Sequence, residues 1–260
     1  MTSPYQVLLV AMLVLSVTGR AAQAGTYLND FNTDAAGATL FGSATLDRGN
    51  VRLTDDVDSQ RGSLIVDDLD PGTAILSFLA RFDMATGPGT LTPADGLSFN
   101  FGQLPNTDFG EEAAFGLNVS FDTYDNGGGE APAIDVMVNG IGVPGGHSTV
   151  NPYTNGAFVP VSVSLDPDGT LDVTFNSTSI FSDLPTGFVP QAGDRFGFGG
   201  RTGGLNQENR IDNLSIVTVV PEPSACTLLS VALAGLHCAV PRRWRLRGSI
   251  KGRNLGSERS

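Results

Sequence analysis

Cysteine is absent from most of the sequence, and its two occurrences lie close together near the C-terminus. They are Cys226 and Cys238, so residues 25–220 contain none. This segment therefore folds without a disulfide bond, which excludes the small disulfide-stapled scaffolds that are common among secreted domains. Its 196 residues are enough to bury a hydrophobic core of their own.

Lysine is also absent from residues 25–220, and positive charge there is scarce. Seven arginines stand against twenty-five acidic residues, a net charge of −18. Such a surface repels nucleic acids and anionic lipids, which excludes both as partners, and it attracts cations. Two interpretations stay open: the acids bind a cation such as Ca²⁺, which prefers carboxylate and carbonyl oxygens, or they only keep the protein soluble.

Histidine is nearly absent from the same segment, because His147, in a glycine-rich stretch, is its single example. A Ser-His-Asp triad or a histidine-bearing zinc site would have to use this residue. A phosphate-binding loop and a dinucleotide-binding fingerprint are missing as well. We therefore predict none of these enzyme classes.

Both ends of the chain have the character of targeting segments. Residues 1–24 contain the apolar run VLLVAMLVLSV and then the small-residue pattern AQA, which predicts a secretory signal peptide. Residues 221–260 begin with Pro-Glu-Pro and continue with an apolar run over 224–240 and an arginine cluster. That run is near the lower length limit for a transmembrane helix, and its basic flank would stay in the cytoplasm.

The order of these three C-terminal parts resembles the PEP-CTERM sorting signal of Gram-negative bacteria. The resemblance implies export through the inner membrane, transient anchoring through residues 224–240, and removal of the tail by an exosortase-type protease. The mature protein would then lie at the cell surface or in the extracellular matrix. An ordinary C-terminal membrane anchor is the alternative.

The region between the two ends consists of short apolar runs bounded by Gly, Pro, Asn and Asp, with little helical periodicity. In VSVSLDPDGTLDVTF, apolar and polar residues alternate on both sides of Asp166–Gly169. This pattern predicts a β-hairpin with one face toward the core and the other in water. Many such strands predict a single all-β domain over residues 25–220, an antiparallel β-sandwich of the jelly-roll type.

One stretch, FDTYDNGGGE, is rich in oxygen donors. Three consecutive glycines let the backbone turn back sharply. The side chains of Asp122, Asp125, Asn126 and Glu130, together with backbone carbonyls, offer the six or seven oxygens that Ca²⁺ requires. The alternative is a solvated loop in which Asp and Asn hydrogen-bond to their own backbone.

Three motifs resemble those of the legume-type (L-type) lectins, within the concanavalin A-like lectin/glucanase superfamily. They are FDTYDN followed by AIDVMVNG, the upstream PADGLSFNFG, and the downstream DRFGFGGRTGG. The motifs follow the family order over about residues 90–217, and the resemblance implies a concanavalin A-like fold. The glycines of the third motif are expected to allow a β-bulge or a tight turn.

Position by position, the resemblance implies a calcium site without a transition metal. L-type lectins hold their transition metal with a Glu, Asp residues and a His, but here Ser120 stands at the Glu position and Ala131 near the His position. No transition metal is therefore expected. The implied Ca²⁺ ligands are the side chains of Asp122, Asn126 and Glu130 and the backbone carbonyl of Tyr124.

The resemblance also implies a carbohydrate site made of Asp95, Gly110, Tyr124 and Asn126. The carboxylate, the side-chain amide and the glycine N–H would pair with sugar hydroxyls, and the aromatic ring would pack on the apolar face of a pyranose. In the family the peptide bond before this Asp is often cis. The intervening QLPNTDFGEEAAF departs from the lectin loops, so the space that receives the sugar is expected to be reshaped.

These observations predict an exported, lectin-like, carbohydrate-binding protein of the bacterial cell surface or polysaccharide matrix, with Ca²⁺ in its loop. The alternatives are a structural surface module without a dedicated ligand and an atypical glycoside hydrolase. Hydrolysis is disfavoured, because the glucanase pattern Glu-x-Asp-x-x-Glu is missing. Glu111 and Glu112 are adjacent and would point to opposite faces of a strand.

Overall fold

The computed structural model describes residues 24–221, and all regular structure in this range is β-strand, as predicted. The strands are β1 (Thr26–Asn29), β2 (Ala38–Gly42), β3 (Thr45–Asp47), β4 (Asn50–Thr54), β5 (Arg61–Val66), β6 (Ser77–Gly89), β7 (Gly96–Gly102), β8 (Leu117–Asp122), β9 (Ala133–Val138), β10 (Ile141–Ser148), β11 (Val159–Leu165), β12 (Thr170–Phe175), β13 (Thr178–Pro185), β14 (Arg195–Arg201) and β15 (Gln207–Val219). Within this range, no helix has the length and apolar character that membrane crossing requires. Apart from their boundary residues, the predicted signal peptide and sorting tail lie outside the described residues.

The strands form two antiparallel sheets, which confirms the predicted β-sandwich. One sheet has eight strands in the order β13-β12-β11-β6-β15-β4-β3, with β1 paired to β15, and the other has seven in the order β10-β9-β8-β7-β14-β5-β2. In the seven-stranded sheet, β14 lies between β5 and β7, so Arg201 is paired with Gly96. The pairing of β7 with β8 places Asp122 opposite the same glycine. All three lectin-like motifs therefore meet at one end of this sheet.

The predicted hairpin is present as β11 and β12. Val163 pairs with Val173, and Leu165 pairs with Leu171. These four side chains are buried, whereas the intervening Ser164 is only half-buried. The alternation in the sequence therefore identified the core face of this hairpin correctly.

Phenylalanine rings from both sheets fill the centre of the sandwich. Phe82 of β6 meets Phe198 of β14 edge to face, with 4.8 Å between the ring centroids. Phe101 of β7 stacks on Phe196 of β14 at 4.6 Å. Because alternate residues of a strand point to opposite faces, the residues between these aromatics point away from the core.

Residues 103–116, called the covering segment below, lie across that outer face of the seven-stranded sheet. The Ser98 hydroxyl donates to the Gly110 carbonyl (3.2 Å), and the Asn118 amide donates to the Glu111 carbonyl (3.1 Å). A small apolar cluster anchors the segment and comprises Ile65, Leu104, Phe109 and Ala113, with Phe41 and Phe115 at its margin. Ser98 and Asn118 are fully buried as a result. The prediction that one side of each sheet faces water is thus wrong for β7 and β8, because the segment that connects these two strands lies over their outer face. Alternation within a strand does not reveal such a cover.

Two glycines of β14 make room for the covering segment. A β-carbon at Gly197 would lie 2.7 Å from the Leu104 side chain, and one at Gly199 would lie 2.4 Å from the Phe109 ring. Strand β14 pairs with both β5 and β7 without a register shift. Strand β14 therefore has no bulge at these two glycines, which allow close packing against the strand instead. Gly203 and Gly204 of the same motif lie in the connection between β14 and β15.

Candidate functional site

The turn that precedes β7 holds Asp95 in place through its backbone. The Asp95 carbonyl accepts hydrogen bonds from the Thr123 N–H (2.8 Å) and the Thr123 hydroxyl (2.9 Å), and the Asp95 N–H donates to the Arg201 carbonyl (3.1 Å). The Ala94–Asp95 peptide bond is cis, as the resemblance implied. These contacts join the Asp95 turn to the end of β14 and to the first residues of the loop after β8.

The carboxylate of Asp95 forms an ion pair that the sequence reasoning did not anticipate. The Arg201 Nε donates to Asp95 Oδ2 at 2.8 Å, and the same guanidinium lies 3.4 Å from the carboxylate of Glu111. Arg201 is one of only seven arginines in the domain and lies within the third lectin-like motif. The position of Arg201 in FGGRTGG was the one feature of the sequence that could have indicated a role at the site. The pairing with Asp95 was not predictable, because 106 residues separate the two in the chain.

Glu111 lies beneath the covering segment, and 2% of its surface is exposed. Its second carboxylate oxygen is buried without a hydrogen-bond partner. Burial raises the pKa of the Glu111 carboxyl to about 7, because desolvation outweighs the attraction of Arg201. Glu111 and Glu112 lie in a turn and not in a strand, and Glu112 is exposed. The two acids therefore diverge because of the turn and not because of strand alternation.

Gly110 lies against Arg201, next to the predicted sugar-binding Asp95. A β-carbon at Gly110 would be 3.1 Å from the Arg201 β-carbon. The Gly110 carbonyl is occupied by the Ser98 hydroxyl, whereas its N–H makes no hydrogen bond to any residue in the described range. Arg201 therefore lies between the two residues: it packs against Gly110 and forms an ion pair with Asp95.

The loop over residues 122–130 is closed by hydrogen bonds from its own backbone. The Asp122 carboxylate accepts from the Tyr124 N–H (2.8 Å), and the Asp125 carboxylate accepts from the N–H groups of Gly127 (2.8 Å) and Gly129 (3.1 Å). The Glu130 carboxylate accepts from the Asn126 N–H (2.5 Å). These are the local bonds that the alternative interpretation of the loop predicted.

Tyr124 and Asn126, the other two predicted sugar-binding residues, lie on this loop. Tyr124 is half-buried and Asn126 is exposed at the tip. The Asn126 side chain makes no hydrogen bond to any residue between 24 and 221. The start of the loop is therefore held next to Asp95 by the hydrogen bonds of Thr123, and its tip exposes Asn126 to solvent.

The predicted calcium ligands have the right chemistry and are partly engaged. Asp122, Glu130 and Asn126 each keep a side-chain oxygen that is not used by the loop backbone, and hard oxygen donors suit Ca²⁺. Burial raises the pKa of Asp122 to about 7, and the negative charges of Glu112, Glu130 and Asp135 act in the same direction. A bound cation would relieve this concentration of negative charge.

A compact group of metal-ligating side chains is found elsewhere. Within the described range, the one set of three Asp, Glu, His or Cys side chains with all ligand atoms inside 4.8 Å is Asp55, Asp56 and Glu208. Arg52 lies 3.0 Å from Asp55, and Arg210 lies 2.6 Å from Glu208. These ion pairs already neutralise the charge of two of the three acids. We therefore assign no function to this set.

An acidic cavity of about 220 Å³ adjoins the loop on the outer face of the seven-stranded sheet. Ser120 of β8 is paired with Asp135 of β9, which is paired in turn with His147 of β10. The His147 Nδ1 lies 2.7 Å from Asp135 Oδ1. The predictions assigned no role to Asp135, although it belongs to the AIDVMVNG motif.

The arrangement of the strands defines the fold class of the described domain. Two antiparallel sheets, with the Asp95 turn, the loop after β8 and the end of β14 meeting at one end, form the concanavalin A-like lectin fold. Residues 35–155 match the model of the Legume-like lectin family. A comparison with curated proteins gives no match.

Solved lectin structures show the same fold. The basic winged bean lectin with Tn-antigen is 21% identical, with a TM-score of 0.60, and the match covers 76% of this chain and 100% of that chain. The VIP36 exoplasmic/lumenal domain in its Ca²⁺/Man3GlcNAc-bound form is 17% identical, with a TM-score of 0.57 and coverage of 79% and 92%. The metal-free form of VIP36 matches almost equally, at 18% identity and a TM-score of 0.56, with coverage of 76% and 93%. The similarity does not depend on the metal state of the relative, and it shows the fold alone.

Proposed function

We propose that the chain is a carbohydrate-binding lectin whose site comprises Asp95, Gly110, Tyr124 and Asn126. One observation carries the proposal: the backbone of Asp95 is hydrogen-bonded to Thr123, so the carboxylate turn and the loop that bears the aromatic and amide groups form one surface. Such a surface combines donors and acceptors for hydroxyls with a ring for the apolar face of a pyranose. The match of residues 35–155 to the Legume-like lectin family and the glycans bound in the related lectin structures support it.

A glycan array probed with the full-length chain tests this proposal. Asp95→Asn should weaken the binding of each recognised glycan about tenfold or more, since hydrogen bonds to charged groups contribute about 1.5–3 kcal/mol. Asp166→Asn is the matched control, because Asp166 is exposed in the β11–β12 turn of the other sheet. An array without signal for the wild type, with and without Ca²⁺, would exclude the lectin proposal.

The proposal includes Ca²⁺ as the ion that orders the loop. Asp122, Asn126, Glu130 and the Tyr124 carbonyl would hold it, and the hydrogen bonds of Asp122 and Glu130 to the loop backbone would be partly exchanged for metal contacts. Binding to the native state raises its stability by about 2.7 kcal/mol at 100 times the dissociation constant. We expect the melting temperature to rise with Ca²⁺, to fall back with EDTA, and to be insensitive to both in Asn126→Ala.

A structural surface module is the second candidate, and a specific observation favours it. The carboxylates of Asp122, Asp125 and Glu130 all bond to backbone N–H groups of their own loop, so the loop is closed without an ion. This candidate predicts a melting temperature that Ca²⁺ does not change and no signal on the glycan array.

We further propose that binding occurs without hydrolysis. Glu111 is buried beneath the covering segment, and Glu112 next to it is exposed, so these adjacent acids do not face a sugar as a pair. A retaining glycosidase needs two carboxyl groups about 5–5.5 Å apart across the scissile bond. Incubation with each glycan bound on the array should release no reducing sugar.

The proposed location is the outside of a Gram-negative cell. The signal peptide over residues 1–24 and the Pro-Glu-Pro tail over residues 221–260 support export and later tail removal. Mass spectrometry of the protein recovered outside the cells should then show an N-terminus at Gly25 and the loss of residues 224–240. A protein that keeps this apolar segment would instead be a membrane-anchored protein.

A further inference from the structure

The acidic cavity beside the loop is enclosed by three neighbouring strands and two connecting segments. Ser120 and Asp122 lie on β8, Asp135 on β9 and His147 on β10, while Glu112 belongs to the covering segment and Glu130 to the loop. Four carboxylates therefore line one space. Neither arginine nor lysine is among the lining residues, so nothing on the cavity wall neutralises them permanently.

Ser120 supplies an independent sign of a ligand. Its side chain is 1% exposed, lines the cavity, and its hydroxyl has no hydrogen-bond partner. It points away from the core, because Phe121 and Val119 on either side of it belong to the hydrophobic core cluster. A buried hydroxyl without a partner costs about 1–3 kcal/mol, which a polar ligand in the cavity would recover.

The size of the cavity and the spacing of its acids argue against a simple metal cage. About 220 Å³ is several times the roughly 30 Å³ that one water molecule occupies. The acids of the cavity also include no set of three with all ligand atoms within 4.8 Å, since the one such set in residues 24–221 is Asp55, Asp56 and Glu208. A ligand of several atoms with a positive charge and hydroxyl groups fits this space better than a bare ion.

We infer that the cavity binds an amino sugar with a free, protonated amine, so that the glycan taken by this protein is a polysaccharide containing unacetylated hexosamine. The ammonium group would lie between the carboxylates of Glu112 and Asp135, which the proposed Ca²⁺ site does not use, and a ring hydroxyl would bond to Ser120. Asp122 and Glu130 belong both to the cavity and to the loop that carries Tyr124 and Asn126, so the cavity is contiguous with the proposed carbohydrate site. The inference rests on that proposed function and specifies its substrate class.

The overall charge of the domain makes a variant-based test necessary. With a net charge of −18 over residues 25–220, any cationic oligosaccharide is attracted to the surface without specificity. Specific binding in the cavity must therefore depend on the particular acids that line it. Glu112→Gln and Asp135→Asn each remove one charge and keep the side-chain size, and Asp166→Asn removes one charge from an exposed turn of the other sheet.

The test is isothermal titration of the full-length chain in the presence of Ca²⁺ at pH 6 and low ionic strength. The probes are glucosamine oligomers, the matching N-acetylglucosamine oligomers and glucose oligomers of equal length. The wild type should bind the free-amine oligomer about tenfold or more tightly than either neutral oligomer, as expected for a hydrogen bond to a charged group. Glu112→Gln and Asp135→Asn should each reduce this ratio about threefold to tenfold, and Asp166→Asn should leave it unchanged.

Several results would overturn the inference. Equal affinity for the amine and neutral oligomers, or binding of none of them, would reject the amino-sugar assignment and leave the lectin proposal intact. Binding of no oligomer together with a glycan array without signal would reject both. A preference for the amine that persists in the Glu112→Gln, Asp135→Asn double variant would show that the preference comes from the general surface charge and not from the cavity. A preference for the amine that is seen only after EDTA treatment would show that the cavity acids hold an ion instead.

Discussion

Replacing Glu111 with glutamine should stabilise the protein at alkaline pH and leave it nearly unchanged at acidic pH. The folded protein raises the pKa of this carboxyl from 4.5 to about 7, so the folded state holds its proton more tightly than the unfolded state does. Between about pH 4.5 and about pH 7 this carboxyl is ionised in the unfolded chain but still protonated in the folded protein. The folded protein therefore loses stability as the pH rises through this range. Below 4.5 both states are protonated, and the group contributes nothing.

The size of the effect follows from the same shift. A difference of one pKa unit corresponds to about 1.4 kcal/mol, so the shift of Glu111 corresponds to a loss of about 3 kcal/mol at pH 8. Glutamine keeps the shape of the side chain and removes the buried charge, but it gives up the 3.4 Å contact with Arg201. We therefore expect Glu111→Gln to be more stable than the wild type by about 1–3 kcal/mol at pH 8.

Urea unfolding followed by circular dichroism at pH 4 and pH 8 measures the difference. The general effect of the high negative charge is shared by wild type and variant, so it cancels when the two are compared at each pH. Asp166→Asn, which removes one charge from the exposed turn between β11 and β12, is the control for the loss of a single surface charge. A stability difference between Glu111→Gln and the wild type that is the same at both pH values would refute the reasoning.

Three further predictions concern the packing that supports the site. Gly96→Ala should destabilise the protein by about 3 kcal/mol or more in urea unfolding. Gly96 has a φ of 146°, and an added β-carbon would lie 2.3 Å from the Phe121 carbonyl. A loss below about 1 kcal/mol would contradict this expectation. Phe198→Ala should cost about 3–5 kcal/mol in the same assay, since the ring is fully buried, and a smaller loss would mean that the core collapses around the gap. Arg201→Met should lower both the glycan affinity and the melting temperature, because it leaves the buried carboxylates of Asp95 and Glu111 without their ion-pair partner. An unchanged affinity would show that glycan binding does not need the pair of Asp95 with Arg201.

The sequence predicts the architecture well, because the fold is encoded in local patterns. Alternation in β11 and β12, and the turn between them, is visible within fifteen residues. The three lectin-like motifs likewise mark the turn, the loop and the strand that meet at the site. Each of these features depends on neighbouring residues, so a single sequence is sufficient to find them.

The contacts that shape the site could not be predicted in the same way. Arg201 reaches Asp95 across 106 residues, and the covering segment buries Ser98 and Asn118 from outside their own strands. The row formed by Ser120, Asp135 and His147 depends on the register of three strands. Charge and residue type do not reveal such pairings, because they arise only when the sheet is assembled.

The covering segment connects the two proposed sites. Its consecutive acids diverge: Glu111 turns inward beneath the segment, 3.4 Å from Arg201, while Glu112 lines the acidic cavity. The hydrogen bond from Asn118 to the Glu111 carbonyl fixes the backbone between them. The position of this one segment therefore sets both the environment of Asp95, through Arg201, and the charge of the cavity, through Glu112. Because QLPNTDFGEEAAF also departs from the lectin loops, this segment is where the proposed sugar specificity would be set.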